Sequence, residues 1–216
     1  MTPLPEQLVV AGTDTDVGKT VVSALLVRGL KATYWKPVQC GDIAVGGDST
    51  RVAQLAGLTP GEVASRILPE AYRLAAPASP NQAAAAEGLV VQEQRLHLPA
   101  VAGPLVVECA GGLLVPLRDD LLQITMISHW QLPVVLVARS GLGTLNHTLL
   151  SLEALEHRGI PLVGLVLNGE PHAANRASLE RIGRVPVLLE LPHLPDPGPA
   201  ALDAAWTRFR GPGCSA

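Results

Sequence analysis

Aromatic residues and net charge are both scarce in this sequence, and each shortage excludes a class of partner. Phe, Trp and Tyr make up 3% of the 216 residues, and the formal net charge is −3. Proteins that bind nucleic acids need concentrated positive charge for the phosphates, and many need aromatic rings on which bases stack. We therefore expect no nucleic-acid partner, and any anion that the protein binds should be a small one.

Long apolar runs, a basic leader and a cysteine pattern are also missing. No run approaches the ~18 apolar residues that a membrane span needs, and the opening residues MTPLPEQ carry no basic stretch. The three cysteines, Cys40, Cys109 and Cys214, form no Cys-x-x-Cys pair, so neither a disulfide framework nor a zinc site is predicted. We expect a cytoplasmic protein with reduced thiols and no membrane partner.

The stretch VVAGTDTDVGKT at residues 9–20 predicts a phosphate-binding loop between a strand and a helix. Gly12 and Gly18 allow backbone N–H groups to turn inward around an anion, and the helix that follows directs its partial positive charge at the same point. Lys19 can reach the outer phosphates, and Thr20 offers a hydroxyl of the kind that ligates Mg²⁺. Five residues separate the glycines where a common P-loop has four. The alternative is a glycine-containing turn with a chance Gly-Lys-Thr.

Apolar runs alternate with segments of helical spacing along the chain, which predicts an α/β fold. Strands are predicted at 8–11, 33–35, 105–109, 133–138, 162–167 and 187–191, and helices near 20–31, 49–56, 83–98 (an Ala-rich segment that continues to Leu98), 121–127, 144–155 and 199–209. Residues 66–82 contain three prolines and are expected to be irregular. We expect a P-loop NTPase-like, doubly wound, mostly parallel sheet of six to seven strands with helices on both faces. It should form one domain over residues 1–210, followed by a flexible tail at 211–216.

Three charged residues stand where these predicted elements end or begin. Lys36 precedes Pro37, which cannot continue a central ladder, so Lys36 should lie at the carboxyl edge where open α/β sheets bind ligands. Glu108 ends an apolar strand just before glycines, which suits a carboxylate that holds hydrated Mg²⁺; an edge glutamate before a turn is the alternative. Asp48 is either the N-cap of the next helix or a residue of the site.

A second helix N-terminus follows the strand at 133–138. Gly143 and Thr144 supply a turn and a cap there, and the unpaired N–H groups could hold an anion such as a carboxylate. His147 lies in the first turn of this helix, where a histidine is more often a structural hydrogen-bonding residue than a general base.

Five motifs in order and spacing resemble the dethiobiotin synthetase family of biotin biosynthesis. They are GTDTDVGKT at 12–20, WKPVQCG at 35–41, ECAGG at 108–112, LGTLNHT at 142–148 and LVLNG at 165–169. The resemblance covers nearly the whole chain, and the five-residue loop gap is the form that this family uses. It implies an ATP- and Mg²⁺-dependent enzyme that joins CO₂ to 7,8-diaminopelargonate and closes the ring to dethiobiotin, ADP and phosphate. The implied intermediates are a carbamate and a carbamic-phosphoric anhydride.

The resemblance also implies roles for individual residues. Lys36, Lys19 and Thr15 would be catalytic, and Thr20, Asp48 and Glu108 would ligate Mg²⁺. The residues implied around ATP and its Mg²⁺ are Asp16, Val17, Gly18, Lys19, Thr20, Val21, Asp48, Glu108, Cys109, Ala110, Gly111, Asn168, Gly169, Pro192, His193 and Leu194. The diamine would lie near Cys40, Ser79 and Asn81, and its carboxylate would meet Gly143, Thr144 and Asn146 of the partner subunit in a homodimer.

Departures from the family pattern leave the required charges in place. Cys40 stands where the family usually has Ser or Thr, which replaces a hydroxyl with a weaker S–H donor. Cys109 replaces a common glycine, and Asn81 takes a position that is often His.

The alternatives are a P-loop switch ATPase of the partitioning or cargo-delivery type and a cobyrinate-type amidating synthetase. The first usually has an additional loop lysine, which residues 13–15 lack, and the second needs a glutamine-hydrolysing domain.

Overall fold

A six-stranded parallel sheet forms the centre of the computed structural model, which describes residues 4–194 and 197–209. The strands are β1 (Gln7–Gly12), β2 (Thr33–Trp35), β3 (Val38–Cys40), β4 (Tyr72–Leu74), β5 (Leu105–Gly112), β6 (Pro116–Arg118), β7 (Leu121–Leu122), β8 (Val134–Arg139), β9 (Leu162–Asn168) and β10 (Val187–Leu191). The central sheet has the order β10, β9, β8, β1, β5, β2, and all its neighbouring pairs are parallel.

Helices cover both faces of this sheet, as predicted. They are α1 (Lys19–Leu30), α2 (Gly47–Ala56), α3 (Pro60–Arg66), α4 (Pro80–Ala86), α5 (Gln123–Trp130), α6 (Thr144–His157), α7 (Ala173–Gly183) and α8 (Pro199–Arg208). Side chains alternate along β1, so Val9 and Ala11 pack into one apolar cluster with α4 to α7, while Leu8 and Val10 pack into another with α1, α2 and α8. The continuous apolar run of β1 is therefore explained by burial on both sides.

The order of the strands determines where a site can form. β1 lies between β5 and β8, and β2 pairs with the other side of β5. All these strands are parallel, so their carboxyl ends meet at one edge, and the chain leaves β1 at the middle of that edge. The loop after β1 therefore lies close to the ends of β2 and β5, which is where open α/β sheets bind ligands.

Three predicted segments differ from the structure. Residues 66–82 are not wholly irregular, because β4 pairs in parallel with β3. The helix predicted from the Ala-rich segment through Leu98 is confirmed only in its first part: α4 ends at Ala86, Gly88 adopts φ +68°, and only a short 3-10 turn at Glu93–Leu96 follows. A left-handed glycine ends a helix, and the apolar residues after it follow a different path. Leu121–Leu122 belong to a small antiparallel pair with β6, and α5 begins at Gln123.

Two helices were not predicted, and they differ in whether their sequence carries a recognisable helix signal. α3 begins with Thr59 and Glu62 in a capping box, with Pro60 in the first turn, and this sequence signature was available. α7 has only Leu179 as a buried residue, so its apolar periodicity is too weak to detect. The predicted tail at 211–216 lies outside the described residues. No helix among the described residues is both long and apolar enough to cross a membrane.

Candidate functional site

The loop between β1 and α1 has the close backbone packing that its glycines predict. Gly18 lies at φ +99°, and a Cβ added there would come 2.2 Å from Asn168 Nδ2. A Cβ on Gly12 would come 2.9 Å from the carbonyl oxygen of Asp14. Only glycine fits either position, and α1 begins directly afterwards at Lys19. The additional residue of this loop is therefore accommodated without loss of the strand–loop–helix geometry.

Two polar side chains support this loop from within the fold. Lys19 is 7% exposed, and its Nζ donates to the carbonyl oxygen of Asp14 at 2.8 Å. Burial lowers the pKa of Lys19, with Glu108 opposing and Lys36 adding to this effect. At the end of β9, Asn168 Nδ2 donates to the carbonyl oxygen of Val17 at 3.0 Å. Asn168 therefore helps to hold the loop, a task that the sequence did not indicate.

Two buried charges and one partly exposed charge, Lys36, Glu108 and Asp48, form a group that we call the charge cluster. The Lys36 ammonium contacts the Asp48 carboxylate and lies 3.3 Å from Glu108 Oε1. Thr20 Oγ1, in the first turn of α1, donates to the same Glu108 oxygen at 2.9 Å. Burial lowers the pKa of Lys36, but the two carboxylates outweigh it and the net shift is upward, so the ammonium stays charged.

Tyr34 completes the surroundings of Glu108. Its Oη donates to Glu108 Oε2 at 3.0 Å, and its side chain is fully buried. Burial, with the Glu108 charge adding to it, raises the pKa of Tyr34, so the phenol keeps its proton and remains a donor. Sequence reasoning missed Tyr34, although its place two residues before Lys36 on a strand was a signal that both side chains could face the same way.

Asp48 is not a helix cap, so that alternative was wrong. The N-cap of α2 is Gly46, at φ +92°, and Asp48 lies in the first turn with its carboxylate on Lys36. Its backbone N–H donates to Gln39 Oε1 at 3.0 Å, and Gln39 Nε2 donates to the carbonyl oxygen of Gly41 at 3.1 Å. Gln39, buried in β3, therefore fixes the start of α2 against the strand and sets the position of Asp48.

A cavity of about 790 Å³ joins the loop to the charge cluster. Most residues expected at the site line it, namely Thr15, Asp16, Gly18, Lys19, Thr20, Val21, Lys36, Cys40, Asp48, Ser79, Glu108, Ala110, Gly111, Asn168 and His193. Six further residues line it that were not named as site residues, Gln39, Asp42, Pro77, Ala78, Pro80 and Val115. Burial raises the pKa of Cys40 to about 11, although Lys36 opposes this, so its thiol is neutral.

Nine expected residues do not line this cavity: Val17, Cys109, Gly169, Pro192, Leu194, Asn81, Gly143, Thr144 and Asn146. Cys109 packs in the core, where burial raises its pKa to about 12. Asn81 lies behind Ser79, whose Oγ donates to Asn81 Oδ1 at 2.7 Å. Gly143 and Asn146 are exposed. The single chain thus brings together the residues expected around the phosphates and leaves the turn at 143–146 outside.

A separate groove of about 500 Å³ lies beside the loop, and we call it the lateral groove. It is lined by the side of the loop, by the chain after β5 and by α6, including Leu114, His147 and Leu150. Leu114 and Leu150 are each more than half exposed, and Leu142 is fully exposed next to the turn at 143–146. Two large exposed apolar side chains, Leu114 and Leu150, therefore line the lateral groove.

The two carboxylates of the charge cluster and the neighbouring Thr20 hydroxyl are suitable ligands for a magnesium ion. Thr20, Asp48 and Glu108 offer a hydroxyl and two carboxylates, which are hard oxygen ligands, and all three line the cavity. Lys36 already bridges the two carboxylates, which shows that they converge on one position for positive charge. No cluster of three or more His, Cys, Asp or Glu residues occurs in the described parts of the chain. Mg²⁺ does not need one, because it commonly uses one or two carboxylates with water and phosphate oxygens.

Similar solved structures establish the fold. A ParA family ATPase from Chlorobium tepidum aligns with a TM-score of 0.54 and 12% identity over 94% of this chain and 93% of that chain. The septum site-determining protein MinD of Pyrococcus horikoshii, complexed with Mg-ADP, aligns with a TM-score of 0.50 and 14% identity over 94% of this chain and 88% of that chain. At such identities the likeness shows a shared P-loop fold and nothing about activity.

Similar sequences establish the family. A family model described as an AAA domain matches residues 6–201. The ATP-dependent dethiobiotin synthetase BioD of Rhodopseudomonas palustris is 50% identical over 206 residues, which cover 95% of each chain. BioD of Agrobacterium fabrum is 49% identical over 202 residues, which cover 94% of this chain and 93% of that protein. The resemblance expected from the five motifs is confirmed, and the chain belongs to the ATP-dependent dethiobiotin synthetases, a family of ATP-using ligases.

Proposed function

We propose that this enzyme makes dethiobiotin from 7,8-diaminopelargonate, CO₂ and ATP. One amine of the diamine adds CO₂ and loses a proton to give a carbamate, and the carbamate oxygen takes the γ-phosphoryl group of ATP. The second amine then attacks the carbamate carbon of this anhydride and expels phosphate, which closes the cyclic urea. The observation that carries the proposal is the buried ammonium of Lys36, held between Asp48 and Glu108 in the same cavity as the phosphate loop.

The nucleotide would occupy the loop side of the cavity. Backbone N–H groups from Asp16 to Val21 and the N-terminus of α1 favour the phosphates, and Lys19 would leave the Asp14 carbonyl oxygen to reach them. Asn168 uses its Nδ2 on the loop, which leaves its carbonyl oxygen available to accept a hydrogen bond from adenine. His193 also lines the cavity; Pro192 and Leu194 flank it in sequence, and Gly169 follows Asn168.

The two lysines would stabilise the transferring phosphoryl group. Negative charge is spread over several oxygens during phosphoryl transfer, and positioned cations are the main means of stabilising it. Lys36 would also hold the carbamate, because its ammonium is charged, buried and fixed by two carboxylates. Thr15 lines the cavity between the loop and this region. A carbamate is itself the nucleophile, so the site needs no strong general base.

Thr20, Asp48 and Glu108 would hold Mg²⁺, with the remaining positions taken by water and phosphate oxygens. When bound, the ion supplies positive charge that bridges and neutralises phosphate oxygens. Lys36 keeps the two carboxylates close together, and Gln39 keeps Asp48 in reach.

The diamine would lie on the Cys40 side of the cavity, and a second copy of the chain would complete that side. Cys40 and Ser79 line the cavity, and Asn81 fixes the Ser79 hydroxyl. The turn at 143–146 would bind the substrate carboxylate of the partner subunit. The exposed Leu114 and Leu150 support a homodimer through the lateral groove, and the exposed Leu142 lies next to the turn that would enter the partner's site.

The reaction can be tested with purified protein, ATP, Mg²⁺ and bicarbonate. Phosphate should be released only when 7,8-diaminopelargonate is added, and dethiobiotin should form in equal amount. Magnesium removal by a chelator should stop both. Phosphate release at the same rate without the diamine would contradict the proposal and would favour the switch ATPase.

A further inference from the structure

Tyr34 is a buried phenol beside the charge cluster, and the proposed reaction assigns no task to it. Its side chain has no exposed surface and packs in the apolar cluster beneath α1. A phenol in such a place needs a hydrogen-bond partner, and a backbone carbonyl would suffice. Its partner is instead Glu108 Oε2, at 3.0 Å. The hydroxyl therefore acts on a carboxylate of the site.

The register between β2 and β5 explains this contact. Tyr34 lies level with Val106, and Glu108 lies two residues further along β5. Residues two apart on a strand share a face, so Tyr34, Val106 and Glu108 belong to the face that α1 covers. A side chain at position 34 thus needs the length of a tyrosine to reach the Glu108 carboxylate on the neighbouring strand β5.

The two oxygens of Glu108 have different partners. Oε1 accepts from Thr20 Oγ1 at 2.9 Å and lies 3.3 Å from Lys36 Nζ, whereas Oε2 accepts from Tyr34. A carboxylate held through one oxygen can still rotate about its last torsion, but donors on both oxygens fix its plane. β2 and the residue after it therefore supply two donors, Tyr34 and Lys36, one for each oxygen.

We propose that Tyr34 is a positioning residue that fixes the Glu108 carboxylate so that Oε1 faces Thr20 and the cavity. This inference rests on the proposed function, in which Glu108 is a magnesium ligand. Groups behind a metal ligand orient it, and removing one typically costs about 10–100-fold in metal affinity or activity.

The test uses Tyr34→Phe, which keeps the ring and removes only the hydroxyl. Binding of Mn²⁺, used in place of Mg²⁺, is measured with a non-hydrolysable ATP analogue present, together with the Mg²⁺ dependence of turnover. We expect the Mn²⁺ dissociation constant to rise about 10-fold and part of the lost kcat to return at high Mg²⁺, with KM for the diamine unchanged. A merely structural hydrogen bond would lower the melting temperature and leave the Mn²⁺ constant as it is.

Tyr72→Phe is the matched control. Tyr72 is also buried, and its hydroxyl accepts the backbone N–H of Gln92 at 2.8 Å, outside the charge cluster. This variant should lose stability and keep the wild-type Mn²⁺ dissociation constant.

Glu108→Gln is measured as well, to separate the proposed role of Tyr34 from the proposed role of Glu108. If Glu108→Gln weakens Mn²⁺ binding and Tyr34→Phe does not, the role of Tyr34 is wrong; if neither does, the role of Glu108 is wrong.

A second measurement does not depend on the folding of Tyr34→Phe. The chain has two tyrosines, so 3-fluorotyrosine in the Tyr72→Phe background labels Tyr34 alone. Its ¹⁹F resonance should shift when Mg²⁺ is added to the protein with the ATP analogue, because the partner of its hydroxyl becomes a metal ligand. A resonance that is insensitive to Mg²⁺ would overturn the inference.

Discussion

The two halves of the proposed site differ in how far one chain completes them. In the phosphate half, Lys36 and Glu108 are almost fully buried, and each charged group of the charge cluster already has a partner. In the diamine half, the turn at 143–146 lies outside the cavity and Leu142 beside it is fully exposed. The folding of one chain thus assembles the phosphate half, whereas the diamine half depends on what covers the exposed surface.

This difference predicts that substitutions in the two halves will have different signatures. A buried charge that loses its partner is strongly penalised, so the phosphate half should respond to single changes with large losses. Contacts at the exposed turn at 143–146 contribute less free energy, and their loss should affect substrate binding. The predictions below run from the phosphate half to the diamine half, in decreasing size of effect.

Lys36→Gln should have the largest effect. Without the ammonium, the transferring phosphoryl group loses a fixed cation, and kcat should fall at least about 10²–10³-fold. ATP binding, measured by calorimetry, should be largely kept because Lys19 and the loop remain. Lys31→Gln, at an exposed helix end, is the control and should behave as wild type. Normal turnover of Lys36→Gln would show that Lys36 is only a lysine at the end of a strand.

Glu108→Gln should raise the Mg²⁺ concentration needed for half-maximal turnover by at least about 10-fold, because a proposed ligand loses its charge. The measurement is a Mg²⁺ titration of phosphate release at saturating ATP and diamine. Glu156→Gln, exposed in α6, should leave the titration unchanged. An unaltered Mg²⁺ requirement in Glu108→Gln would place the metal elsewhere.

Leu150→Glu tests whether the diamine half is completed by a second copy. A charge placed in the lateral groove should oppose burial of that surface, so the assembly should dissociate in analytical ultracentrifugation. KM for the diamine should rise about 10-fold while ATP binding stays unchanged, since only the turn at 143–146 is lost. Ile182→Glu is the matched control, because Ile182 on α7 is exposed to a similar degree (55% against 58%). If the wild-type protein is a monomer in the centrifuge, or if Leu150→Glu keeps the wild-type KM, the shared site is contradicted.

Cys40→Ser should have the smallest effect and the opposite sign. A hydroxyl donates a stronger hydrogen bond than a thiol, so KM for the diamine should fall about two- to fivefold, whereas Cys40→Ala should raise it. Since the folded-state pKa of Cys40 is about 11, the thiol stays protonated, and the ratio of the wild-type KM to the Cys40→Ser KM should be flat from pH 7 to 9. A ratio that changes over this range would indicate a thiolate at the site.

Comparison of prediction and structure shows where local sequence is sufficient. All six strands of the central sheet were predicted, because most of them are largely apolar runs, as strands buried on both faces require. The P-loop was predicted because Gly12 and Gly18 are required by the backbone path itself. Local signals failed where Gly88 ended a helix before an apolar segment, and where α7 buried almost nothing.

By itself, the sequence determined the six strands of the central sheet, most of the helices, the phosphate loop and the candidate charges Lys36, Asp48 and Glu108, since these follow from local composition and periodicity. Only the tertiary structure decided which of these groups meet. Tyr34 and Glu108 are 74 residues apart, and their contact exists because β2 pairs with β5 in one register. The pairing of Asp48 with Lys36 likewise depends on Gln39 and the path of α2. A side-chain contact between distant segments is set by strand register and packing, which no local pattern encodes.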